Sequence, residues 1–338
     1  MSGAARRKVK EAELDECPMA KKIIPNLKMH WFETTLMGVL KGVADYFGIA
    51  VSDAWLFGGS GHAFLINIHE KLFPSGPYVW KYDAFYKLVR NLGISMTDLG
   101  YFRAKSTPDE RGKVEEVLKR SIDAGIPCSL LNMENQLISG YDDTHFIVEQ
   151  PWPKDLAITP KTLTFQTWKE LGKRMHINFF TFDKTRRADD ETIIRESLRY
   201  AVDMTRNPDR YEERKEHFHI GLGAYDVWIK AIKDGYGTRH GNLWNGTVYW
   251  ECREMASRYF SEIASKCQGN ISKKATKLSS QYKRLANLLD KARNKNLADN
   301  DRVKTLQEAQ RSEECCINEI EKFLNIYTGV LDQDDHSH

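Results

Sequence analysis

The sequence predicts an α+β domain followed by an all-helical region. Three observations predict it. Strand-like segments cluster at 127–132, 136–141, 145–150 and 175–182, among isolated helical patterns and without regular βαβ alternation. From Asp189 onward only helical spacing is evident. In the last seventy or so residues, apolar positions recur at steps of four and three on both sides of a polar break, the pattern of an antiparallel helical hairpin.

The 338 residues suffice for two domains, or one large domain with an appendage, around a full hydrophobic core. A composition of 41% hydrophobic and 29% charged residues is globular, and a net charge of +3 argues against a nucleic-acid binder. Six scattered cysteines with no Cys-x-x-Cys spacing read as reduced thiols of a cytoplasmic protein. Residues 1–10 lack the apolar core of a signal peptide, and no apolar run has the length of a membrane span, so no membrane partner is expected.

In chain order, residues 1–26 read as a charged lead-in, with Ile23-Ile24-Pro25 as a short docking strand. The stretch from His30 to Phe47 reads as a helix. Leu36, Val39, Leu40, Val43 and Phe47 form its core stripe, and Gly48 stands where a C-terminal glycine cap belongs. His30, Trp31, Glu33 and Thr34 are expected on its first turn, where unpaired N–H groups suit a nucleophile, an oxyanion or a bound anion. Ser52-Asp53 caps a short helix at 54–56. Gly58-Gly59-Ser60-Gly61-His62 reads as a glycine-rich loop entering a strand through His69. His62 stands where a nucleophile elbow needs glycine, and no Gly-Lys-Ser/Thr follows, so neither serine catalysis nor a phosphate loop is favoured.

Tyr78 to Leu92 reads as a helix stopped by Gly93. Thr107-Pro108-Asp109-Glu110 is a helix start with capping-box spacing, and Gly125 ends that helix. Asp142-Asp143-Thr144 turns one strand into the next. After the break at Pro151-Trp152-Pro153, a short helix over 167–173 and a strand over 175–182 close the first domain. Helices follow at 190–206, 223–233 and 242–267. The hairpin stripes run through Ile271, Leu278, Tyr282, Leu285 and Leu289, then Leu306, Ile317, Ile320 and Leu324, with Gln310 and Glu313 as polar flaws. Polar outer faces predict a solvated arm, and residues 331–338 read as a disordered tail.

His30-Trp31-Phe32-Glu33-Thr34-Thr35-Leu36, with a helix ending in Tyr46-Phe47-Gly48, resembles the opening of the butirosin biosynthesis protein H N-terminal family. Gly140-Tyr141-Asp142-Asp143 is similar to that family's second motif, and the resemblance spans roughly residues 25–185. It implies a papain-like fold related to the bacteriocin-leader cysteine peptidases, and an acyltransferase acting on a carrier-protein thioester. The family opens with a His-Cys pair whose Cys is the nucleophile. Here His30 matches the His and Trp31 stands at the Cys position. The family's catalytic His lies on the strand before Gly-Tyr-Asp, whereas residues 132–139 contain none.

Both departures point to a non-catalytic relative that binds a small molecule or peptide-like ligand in the former active-site cleft. The resemblance sets the helix start, His30, Trp31, Glu33 and Thr34, beside Glu134, Gln136, Tyr141 and Asp142 around that cleft, with Trp31 as its floor; Gly59, Ser60, Gly61 and His62, as a close backbone approach beside that helix, are expected to form one wall. The alternatives are an acyl- or aminoacyl-transferase working through acid/base groups, and an assembly protein acting through the hairpin. The bland reading of Asp142-Asp143 is the turn itself, and that of Cys128 is a core thiol. His217-Phe218-His219 lacks a third ligand; no metal and no cofactor is expected. The basic face of 266–304 suits an acidic protein, and 271–328 suits a homodimer. The expected divisions are 1–26, 27–187, 188–268, 269–330 and 331–338.

Overall fold

A computed structural model describes residues 21–152 and 159–334. It shows mixed helix and sheet, with a helical C-terminal region. The expectations about residues 1–20, Cys17, Pro153 and 335–338 lie outside the described residues.

The main sheet is antiparallel throughout. Its order is β3 (Ile94–Arg103), β8 (His176–Lys184), β4 (Cys128–Leu131), β5 (Asn135–Tyr141), β6 (His145–Val148) and β7 (Thr162–Thr164), and β1 (Lys22–Ile23) adds to the far end of β5. β1 realises the expected docking strand one residue early. A second sheet pairs β2 (Asn67–His69) with β9 (Phe218–Ile220). Helices α1 (Thr35–Tyr46) and α3 (Asp83–Asn91) pack on β5 and β3. α4 (Pro108–Asp123) opens with the expected capping box between Thr107 and Glu110.

The first helix begins later than expected. His30, Trp31, Glu33 and Thr34 are not on its first turn; they precede Thr35 in an irregular segment. That segment doubles back along α1, where the His30 N–H donates to the Gly38 carbonyl. A Cβ on Gly38 or Gly42 would sit 2.3 Å from the His30 oxygen or 2.2 Å from the Lys28 oxygen. Two glycines four apart thus make a backbone-wide groove on one helix face.

The glycine-rich stretch is also corrected. Gly58 and Gly59 end α2 (Asp53–Gly59), and Gly61 turns the chain at φ 76° into a short 3-10 turn rather than a strand. Gly58 lies against the Tyr259 ring and Gly59 against Ile193 and Leu92. Their missing side chains serve helix packing. The helix expected over 78–92 starts only at Asp83, and the short helix near 167–173 is a 3-10 segment, Lys169–Arg174.

The helical region contains α5 (Asp190–Arg206), α6 (Leu222–Ala231), α7 (His240–Lys266), α8 (Gly269–Arg293) and α9 (Asp299–Asp334). α8 and α9 form the expected antiparallel pair, but not a solvated arm. α8 packs along α7, and α9 packs on α5 and α6. Phe260 of α7 stacks on Tyr282 of α8 and meets Phe323 of α9. The two polar flaws are the reason. Glu313 accepts from the fully buried Arg253 at 2.7 Å and from Tyr225 at 2.9 Å, and Gln310 donates to the Leu222 carbonyl and to Asp226. These polar positions bind the hairpin to the body, so its apolar stripe is spent inside the chain. α9 continues through residues 331–334, where an unstructured tail was expected. Among the described residues, no helix is long and apolar enough to cross a membrane.

Candidate functional site

A cleft of about 1230 Å³ lies between the β4–β5 end of the main sheet and the N-terminal half of α7. Four chain segments converge on it. The first is the segment before α1, bringing Trp31, Phe32 and Glu33. The second is the turn over 73–80, bringing Phe73, Tyr78 and Trp80. The third is the β4–β5 connection, bringing Asn132, Met133 and Glu134. The fourth is α7, bringing His240, Trp244, Trp250 and Glu251. Tyr101, Trp152, His176, Asn178, Glu213 and Arg214 complete its wall.

Hydrogen bonds between side chains and backbone fix these segments. Asn67 donates to the Gly76 and Val79 carbonyls, and its own backbone N–H and C=O are both bonded by Tyr249 Oη of α7. Asn245 donates to the Phe73 carbonyl. α7 therefore holds the 73–80 turn as well as its own side chains. Asn132 donates to the His176 carbonyl at 2.6 Å, tying the β4–β5 connection to β8.

The walls are aromatic and accessible. Trp31 is 62% exposed, and Phe73, Tyr101 and Met133 are each close to half exposed. Trp152 and Trp244 meet edge to face at 5.5 Å. The Arg293 guanidinium lies over the Trp250 ring at 4.4 Å. Large apolar side chains left in water and gathered at one concavity mark a binding surface rather than scattered surface residues.

Four carboxyl groups line this cleft, Glu33, Glu134, Glu213 and Glu251, and burial perturbs three of them. Glu134 accepts from Tyr78 Oη at 2.5 Å and Thr35 Oγ1 at 2.8 Å, both at the same oxygen, Oε2. Burial raises its pKa to about 7, against the lowering effect of those two bonds. Glu251 accepts from the Glu33 N–H at 2.9 Å and the Thr34 N–H at 2.8 Å, one on each oxygen. No side chain of α1 caps its own first turn; a carboxylate from α7 takes up the loose N–H groups just before it. Burial raises Glu251 to about 7 as well, opposed by those N–H donors and reinforced by Glu33. Burial also raises Glu33, with Arg293 pulling the other way.

Of the residues expected at the cleft, Trp31, Glu33 and Glu134 line it. Trp31 belongs to the wall, not the floor, because the helix starts four residues after it. His30 pairs with Asp45 at 2.7 Å on the flank of α1. Thr34 is buried under Glu251. Gly59, Ser60, Gly61 and His62 are buried among α2, α5 and α7 and do not line the cleft. Gln136 is buried with its amide donating to the Glu149 and Pro160 carbonyls. Tyr141 and Asp142 lie at the opposite end of β5. Tyr141 donates to Asp123, and Asp142 receives the Thr144 and His145 N–H groups of its turn. Those bonds hold the Asp142 carboxyl low despite the upward push of burial.

Sequence reasoning missed Tyr78, Trp244, Trp250 and Glu251. Tyr78 lies 56 positions from Glu134, and Glu251 lies 218 from Glu33. It also missed a cysteine–histidine contact, in which Cys252 Sγ lies 3.6 Å from His62 Nδ1. Burial drives the thiol up to about 12 and the imidazole down to about 4. The pair is neutral and enclosed, which is the inert condition for a thiol. Cys128 is likewise a core thiol, pushed up to about 12 by burial. No group of three His, Cys, Asp or Glu side chains among the described residues is arranged to hold a metal ion.

No protein-family model and no curated protein matches this chain.

Proposed function

We infer that the chain is a non-catalytic member of a papain-like acyltransferase and peptidase family, and that its cleft binds a small-molecule or peptide-like ligand. One observation carries the reading: Trp31, Phe73, Tyr101 and Met133, four of the large apolar side chains left exposed, meet at one cleft. The start of α1 facing the residues before β5 supports the family resemblance. Trp31 at the family's nucleophile position, and the enclosed neutral state of the Cys252 thiol, support binding over covalent chemistry.

A second reading rests on Glu134. A carboxyl near pKa 7 beside the Tyr78 hydroxyl is matched to general acid/base work, as acyl or aminoacyl transfer requires. Native mass spectrometry of the full chain tests the first reading. We expect a low-mass adduct that is absent from Ser75→Trp, which adds an indole to the cleft wall. A protein that carries no adduct, and that no member of a library of small acids, alcohols and amines stabilises selectively over Ser75→Trp, overturns it. Turnover of acyl thioesters that is lost in Glu134→Gln establishes the second.

A further inference from the structure

Resting on the reading of the cleft as a ligand site, we propose that its ligand is an organic cation, an ammonium group on an apolar body. Three features of the cleft meet this chemistry together. The first is charge. Glu33, Glu134 and Glu251 share the site, and none makes an ion pair with a Lys, Arg or His within hydrogen-bonding reach among the described residues. Glu213 adds a fourth carboxylate; Arg214 is the one Lys or Arg side chain on the lining, beside His176 and His240.

The second feature is an open acceptor. Both hydroxyl donors to Glu134 use Oε2, so Oε1 has no protein donor among the described residues. A ligand ammonium would complete this carboxylate without displacing an existing bond. The third is the wall of rings. Trp31, Trp250, Phe73 and Tyr101 all line the same space; Arg293 covers one face of Trp250, Arg103 one face of Tyr101 and His69 one face of Phe73, and Trp31 is the most exposed of the four. Aromatic faces attract a cation through their quadrupole and also cover an apolar body. The molecule already shows the preference, since Arg293 stacks over Trp250 and Arg239 over Tyr236. An anionic ligand would meet four carboxyl groups with Arg214 as the one Lys or Arg on the lining, Arg293 being engaged over Trp250. A neutral one would leave Glu134 uncompensated in a partly dehydrated site, while Glu33 keeps only the opposing pull of Arg293.

Calorimetric titration of the full chain at pH 8 with 4-phenylbutylamine, 4-phenylbutanol and 4-phenylbutyrate tests the charge preference at fixed shape. The amine is expected to bind about tenfold tighter than the alcohol, and the carboxylate weakest. Glu134→Gln, which keeps an oxygen for both hydroxyl donors, and Glu33→Gln should each narrow the gap between amine and alcohol. Equal or tighter binding of the alcohol or the carboxylate overturns the cation assignment; if that binding is lost in Ser75→Trp, the cleft remains a ligand site of another charge class. An amine preference undiminished in both glutamine variants also overturns it. So does the absence of binding by all three probes, while the adduct measurement judges the ligand site itself.

Discussion

Replacing Glu134 with glutamine should make the protein more stable at alkaline pH and leave it nearly unchanged at pH 4.5. Glu134 is 5% exposed, and burial raises its carboxyl from the ordinary 4.5 to about 7. The folded state thus binds more protons than the unfolded chain between those two values. Its stabilising contribution is complete below the unfolded pKa and is lost as pH rises through the folded one. At about 1.4 kcal/mol per pH unit, ionising this group in the folded protein costs about 3 kcal/mol by pH 8. Glutamine cannot ionise, and its single amide oxygen replaces Oε2 as acceptor for both Tyr78 and Thr35. Glu251 carries the same sense of shift, so the variant should keep roughly half of the wild-type decline. Thermal melts from pH 4.5 to 8.5 at constant ionic strength measure it. The two proteins should melt together at the acid end and separate by several degrees at the alkaline end. Parallel curves across the range would show that Glu134 is not desolvated as its surroundings imply.

Other consequences are independent of this one. Glu313→Leu should destabilise the protein by about 3–5 kcal/mol in denaturant unfolding, because it strands the fully buried Arg253; a loss below about 1 kcal/mol would mean that water reaches this pair. Truncation after residue 268 should give an insoluble or non-cooperatively melting product, since it bares Phe64, Phe260 and the α7 face that α8 covers; a sharply melting soluble remainder would restore the idea of a free arm. Iodoacetamide near neutral pH should label Cys315 first among the described cysteines, with Cys128, Cys252 and Cys316 reacting only on unfolding; rapid labelling of Cys252 would show that its pocket opens. Glu251→Gln should destabilise at pH 5, unlike Glu134→Gln, because its amide presents an N–H to one of the two backbone N–H donors; equal stability at pH 5 would show that a single acceptor suffices.

What could be read in the sequence was local. The Thr107 capping box, the Ser52 cap of α2 and the strands around Asp142-Asp143 each carry their signal within a few residues. β3 escaped because its alternation breaks. Only Ile94 and Met96 are buried, and the register shifts between Asp98 and Tyr101, where Gly100 takes φ 110°. The hairpin was legible as two helices but not as a core element, since Gln310 and Glu313 look like defects until Arg253 and Tyr225 stand opposite them. At the site, a family motif pointed to Trp31, Glu33 and Glu134. Glu251 instead occupies one position in a 27-residue helix whose spacing says only that Val248, Cys252 and Met255 face inward. Its role depends on meeting the start of α1, and no spacing rule spans that distance.

The carboxylate of Glu251 at the start of α1 also bears on the order in which the molecule is made. Its partners Glu33 and Thr34 precede it by 218 and 217 positions. At about 5–20 residues per second of synthesis, they wait on the order of 10–40 s for it to leave the ribosome. Arg253 must then wait for Glu313, sixty positions later. Between the completion of β8 at Lys184 and the arrival of α7 at His240, the antiparallel sheet is fully translated while Trp31 and Phe32 stand without the helix that faces them across the cleft. The newborn chain therefore carries an aromatic patch through most of its synthesis, the condition in which nascent proteins call on chaperones.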